Sequence, residues 1–156
     1  MYPHSHFLFP FFIGELLVNL GIFTHEQAIL TGFLGMLVDI DHYFYYAIKH
    51  KTFSLKNAWN AAVSGTEAKE RTFIHHKKGF IIMTIFLTFL MLINFSLYAM
   101  LAIGYYTHIF LDWGKLNFLN WRKTFKFSEE GFTFQLSAFE LTFDIVLIAL
   151  LLYTML

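Results

Sequence analysis

All eleven lysines and arginines of this chain fall in two short stretches, and long apolar runs fill most of the rest. Lys49, Lys51, Lys56, Lys69, Arg71, Lys77 and Lys78 form the first stretch; Lys115, Arg122, Lys123 and Lys126 form the second. A chain of 156 residues has the size of one domain. Yet 57% of it is hydrophobic and only 14% charged, against about 45–50% and about 25% in soluble domains. The expectation is a single integral membrane domain over residues 1–156. So apolar a chain is not disordered, and so few cations leave no broad basic face for nucleic acid. Cysteine is absent, which excludes disulfides, iron–sulfur clusters, cysteine-based zinc sites and thiol catalysis.

A helix needs about 20 apolar residues to cross a bilayer. On that length the sequence predicts an all-α, polytopic transmembrane helical bundle of about five membrane-embedded helices. They run over about 7–23, 27–48, 79–93, 96–113 and from 137 to the C-terminus. The apolar run 79–113 is too long for one crossing and divides near Asn94–Ser96. Five crossings put every lysine and arginine on one face, which the positive-inside rule makes cytoplasmic. The N-terminus is then expected in the cytoplasm and the C-terminus outside. Residues 1–23 lack a basic leader and carry Glu15, so they read as a retained helix rather than a signal peptide. Pro10 should bend that helix.

Ionisable groups inside membrane helices are costly and face a protein interior or a wet cavity. His6 and Glu15 lie on the first expected helix, Asp39, Asp41 and His42 on the second, His108 and Asp112 on the fourth, Glu140 and Asp144 on the fifth. His75 and His76 stand just before the third. No lysine or arginine lies in any expected span, so a bound metal cation is a natural counter-charge. His108 and Asp112 are four apart and share one helical face, a way to offer two ligands from one helix. Asp39 and His42, three apart, could do likewise. Asp39 and Asp41 cannot share a face of a regular helix. Either the helix breaks at Val38–His42, or one aspartate supports the site from behind. Histidine and carboxylate ligands without thiolate suit zinc first, then manganese or iron.

Plainer readings stand beside these. His4 reads as an interfacial residue, Asp39 and Asp41 as an ion relay, and His108 with Asp112 as a hydrogen-bonded helix pair. Glu140 and Asp144 read as supporting groups or a helix-junction cap, and the sequence leaves open whether Glu15, His76, Glu140 or Asp144 join the site. His25, Glu26 and His50 read as loop residues.

With these residues in view, the chain resembles the small bacterial and archaeal integral membrane proteins known as membrane-bound metal-dependent hydrolases. The resemblance rests on His6 in Ser5-His6-Phe7-Leu8-Phe9, on Asp39-Ile40-Asp41-His42, on Glu70-Arg71-Thr72-Phe73-Ile74-His75 and on Gly104-Tyr105-Tyr106-Thr107-His108-Ile109-Phe110-Leu111-Asp112. In the third segment Glu70 and Thr72 replace the usual His and Gly, which leaves Arg71 and His75 as carry-overs. The resemblance implies a metal-dependent hydrolase of the cell membrane, acting on a lipid or phosphoester near the cytoplasmic leaflet. The expected metal ligands are His6, Asp39, His42, His75, His108 and Asp112. Asp41 is the expected general base, and Arg71 the partner of a substrate phosphate. The expected partners are membrane lipid and a small-molecule or lipid substrate, with no nucleic acid. The alternatives are a divalent-metal or proton transporter, or a non-catalytic protein that metal holds together.

Overall fold

A computed structural model describes residues 2–64, 73–113 and 124–156. The chain is mostly helical. Helix α1 spans Pro3–Asn19, with Pro3 in the first turn, where its missing N–H is no loss. It ends at Gly21, whose φ of 72° suits glycine. Thr24 opens α2 (His25–Leu37) through a reciprocal capping box with Gln27. After α3 (Ile40–His50) and α4 (Leu55–Ser64), a 3-10 turn, Phe73–His75, leads into α5 (Lys77–Ile93). Helix α6 (Phe95–Trp113) follows directly. Strands β1 (Thr124–Glu129) and β2 (Phe132–Ser137) pair antiparallel around Glu130–Gly131, both at positive φ. Ser137 caps α7 (Ala138–Met155).

The expected all-α class holds, with a two-stranded hairpin over residues 124–137 beside the helices. The number of spans is corrected. Of about five expected membrane-embedded helices, one described helix, Ala138–Met155, is long and apolar enough to cross a membrane by itself. The reasons are local. The expected second helix breaks at Val38–Asp39 into α2 and α3. Helices α1 and α5 have 17 residues each, roughly 26 Å at about 1.5 Å per residue, short of the ~30 Å apolar layer. Helix α6 carries Tyr105, Tyr106, Thr107, His108 and Asp112. The first helix also begins earlier than expected, at Pro3. The division of residues 79–113 and the last helix lie close to where the sequence placed them.

Helix α1 is the hub and packs on α2, α6 and α7, while α2 and α5 pack on α6. Small residues allow the closest approaches. A Cβ on Gly35 would stand 2.6 Å from the His6 carbonyl oxygen and from Pro10 Cγ, and one on Gly104 would stand 2.9 Å from Gly35 N. Leu87, Ala102, Tyr105 and Ile109 form a small apolar core between α5 and α6. Much of the outer surface is also apolar: Ile29, Leu30 and Phe33 on α2, and Ile85, Phe86 and Phe89 on α5, are exposed. A soluble monomer rarely exposes that much hydrocarbon.

The two ends of the bundle differ. At one, α4 packs on β2: the Trp59 indole donates to the Thr133 carbonyl (2.9 Å), and Asn60 bonds Gly131 O and Thr133 N. The Tyr2 hydroxyl accepts from Gln135 N at the same end. The N-terminus, α4 and the hairpin are thus neighbours, as the charge distribution predicts. At the other end the Gln27 amide donates to Ser96 Oγ (2.7 Å), and Asn19 donates to the Thr154 carbonyl (3.1 Å).

Candidate metal centre

Four segments converge near the α4–hairpin end. Helix α1 brings His6, the α2–α3 break brings Asp39, the 3-10 turn brings His75, and α6 brings His108 and Asp112. Each is placed by a local device. Ending α2 before Asp39 frees Asp39, Asp41 and His42 from one continuous helical phase, which resolves the conflict of Asp-x-Asp spacing. The Tyr105 hydroxyl donates to the Ile74 carbonyl (3.2 Å) and pins the turn that carries His75. Glycine at 35 and 104 lets α2 and α6 meet closely, and His108 Nδ1 donates to the Gly35 carbonyl (2.9 Å). That bond leaves the His108 Nε2 lone pair facing the cluster, as a histidine ligand requires.

Ligand atoms of His6, Asp39, His108 and Asp112 all lie within 4.8 Å of one another, and so do those of Asp39, His42 and His75. His6 Nε2 is 3.2 Å from Asp112 Oδ1 and 3.8 Å from Asp39 Oδ2. His108 Nε2 is 3.5 Å from Asp39 Oδ1 and 3.4 Å from Asp112 Oδ2. His75 Nε2 lies 3.0 Å from His108 Nε2 and 3.4 Å from Asp112 Oδ2. His42 is more peripheral, 3.8 Å from Asp39 Oδ1. The rings of His6 and His108 stack at 3.9 Å and both residues are fully buried.

His6 tests the fit of a cation. Both of its ring nitrogens are buried without an aligned hydrogen bond among the described residues, and Nε2 faces the carboxylates of Asp112 and Asp39 at 3.2 and 3.8 Å. Leaving a buried polar group unsatisfied costs about 1–3 kcal/mol. A divalent cation among these nitrogen and carboxylate donors would satisfy Nε2, and the donor set fits one. Without a cation His75 behaves differently. Burial works against its charged form, but hydrogen bonds to Asp112 and Asp41 and the charges of both carboxylates prevail, raising its pKa to about 9.

The other expected residues are accounted for. Asp41 Oδ2 lies 3.3 Å from His75 Nδ1, behind the ring as seen from the cluster, where it orients the imidazole. Arg71 lies outside the described residues. His76 is exposed at the start of α5. Glu15 is buried against His25 Nδ1 at 2.9 Å and belongs to neither ligand group. Glu140 accepts from Ser5 Oγ (3.0 Å) and from Tyr2 N, and Asp144 pairs with His4 at 2.9 Å. These two acids clamp α7 to α1. The sequence reading missed Gly35 as the histidine-orienting acceptor; the spacing of small residues Gly32 and Gly35 was its signal. It also missed the His25 partner of Glu15 and the wall of the cavity.

That cavity, of about 540 Å³, opens over the cluster. Asp39, His42, His75 and Asp112 form its polar floor, while Tyr43 and Trp59 stand in its aromatic wall. Its size lies in the range of small-molecule sites, about 300–1,000 Å³.

Residues 1–118 match the family described as YdjM inner membrane protein. The matched region contains every ligand candidate, His6 through Asp112. No curated protein and no solved structure matches the chain.

Proposed function

The chain belongs to the YdjM inner membrane protein family, and from that premise we propose that it is a metal-dependent hydrolase. It acts on a lipid or phosphoester near the cytoplasmic leaflet. The observation that carries this reading is His6: a fully buried imidazole whose Nε2 faces the carboxylates of Asp112 and Asp39 and whose ring stacks on His108. His6, Asp39, His108 and Asp112 are the principal ligands, and zinc is the first choice of metal, before manganese or iron. The metal, when bound, supplies Lewis acidity and an activated water. The chain supplies the rest. The Gly35 carbonyl fixes the His108 ring, Asp41 fixes the His75 ring, and Tyr43 and Trp59 line the cavity above the floor. Arg71 is the candidate partner of a substrate phosphate.

A lipid-facing exterior supports a substrate drawn from the bilayer. The apolar exposed faces of α2 and α5 and the polar cavity share one short bundle. The segregation of the basic stretches supports a cytoplasmic N-terminus. Elemental analysis of the purified protein, beside the His108→Ala variant, tests the reading. At least one equivalent of zinc, manganese or iron is expected in the parent, with a loss in the variant. A parent protein that binds none of these after loading overturns it. Hydrolysis of a phospholipid-like substrate, with no ion uptake in proteoliposomes, separates the enzyme from a transporter.

A further inference from the structure

The two aspartates of the cluster divide their oxygens. Asp39 turns Oδ2 to His6 (3.8 Å) and Oδ1 to His108 (3.5 Å) and His42 (3.8 Å). Asp112 turns Oδ1 to His6 (3.2 Å) and Oδ2 to His75 (3.4 Å) and His108 (3.4 Å). Each carboxylate thus faces His6 with one oxygen and, with the other, His108 together with His42 or His75, so both oxygens of each are turned to imidazoles. The donors also sort into two sets that share Asp39: His6, Asp39, His108 and Asp112 in one, and Asp39, His42 and His75 in the other.

We infer that the centre holds two divalent cations, the second bound by His42 and His75 and joined to the first through Asp39 and Asp112. This rests on the metal-dependent reading above and extends it. Side-chain exposure supports the division. His6 and His108 are fully enclosed, whereas His42 is 39% exposed and lines the cavity. The first cation is therefore the deeper one and the second borders the cavity. Asp41 belongs to the second site as a positioning residue, since it holds His75 through Nδ1 and leaves Nε2 to the cluster. Bridging carboxylates keep two cations about 3.5–4 Å apart, the separation of two-metal sites that act on phosphate esters.

The test uses the full chain in detergent, loaded with zinc or with manganese and freed of loose ions by gel filtration. Two equivalents of zinc per chain are expected. The manganese form should give the electron paramagnetic resonance spectrum of an exchange-coupled pair. His42→Ala, at a partly exposed position that should tolerate the change, is expected to fall to one equivalent and to the spectrum of an isolated ion. One equivalent in the parent overturns the second site and leaves the hydrolase reading standing. None overturns both. Two equivalents without exchange coupling overturn the bridging role of Asp39 and Asp112. Two equivalents retained in His42→Ala overturn the assignment of His42.

Discussion

At one end of the bundle Glu15 and His25 set a carboxylate against an imidazole; at the other, His6, Asp39, His108 and Asp112 do so four at a time. The pair is self-sufficient. Both Glu15 oxygens lie within 3.2 Å of His25 Nδ1, and the His25 side chain is 60% exposed, so its second nitrogen reaches solvent. The cluster is not. His75 Nε2 and His108 Nε2 stand 3.0 Å apart, and His6 Nε2 faces two carboxylates without an aligned hydrogen bond. The chemistry is alike in both places, carboxylate against imidazole, but His25 is exposed where His6 and His108 are enclosed. What separates a structural ion pair from a ligand site is the donor capacity left over once the protein has bonded to itself.

The strongest challenge to that contrast is Asp112→Asn, which keeps shape and removes charge. Metal affinity should fall by more than about 100-fold, beyond the loss typical of an orienting partner, and hydrolysis of a phospholipid-like substrate should vanish while the protein still inserts. A variant that binds zinc like the parent and stays active would reduce His108 and Asp112 to a helix-end hydrogen bond. Next in size is chelation. A cation held at about 100 times its dissociation constant stabilises by about 2.7 kcal/mol, so stripping a loaded sample should lower its melting temperature by about 5–10 °C. An unchanged melting temperature would show that the cluster adds nothing to stability.

Asp41→Asn removes the charge behind His75, and zinc affinity measured by competition should drop about 10–100-fold. An unaltered affinity would deny Asp41 its orienting part. Comparable in size is the effect of pH. In the ion-free chain His75 titrates near 9, so a cation must displace its proton at any lower pH. Affinity should weaken about tenfold per unit from pH 9 to pH 7 for that one proton. A flat titration between those values would mean that His75 is not a ligand. The least effect belongs to the pair. Glu15→Gln should cost about 1 kcal/mol in a denaturation experiment and leave the metal content as it was. Metal lost from this variant would mean that the two ends are coupled.

Much of this was legible in residue spacing. His108 and Asp112 at i,i+4 share a face and meet in the cluster, and the geometric conflict between Asp39 and Asp41 foretold the break between α2 and α3. Among the described residues, helix α4 and the hairpin do pack together, both beside the basic stretches of the sequence. The number of self-sufficient spans was not legible, because hydropathy counts apolar residues without seeing a helix end at Val38. Nor was the hairpin. Phe125, Phe127, Phe132 and Phe134 alternate with polar residues at strand period, but they stand next to a basic stretch that reads as loop. The Glu15–His25 pair escaped because ten residues and a turn separate its members, and nothing in spacing alone joins them.

One feature of the layout bears on the order of synthesis. Every donor lies at or before residue 112, whereas the strand that backs the cavity, with Thr133 and Gln135, comes after residue 131. Chains leave the ribosome from the N-terminus onward. The donors of the cluster thus come from the first 112 residues, and the strand that walls the cavity over them is supplied by later sequence.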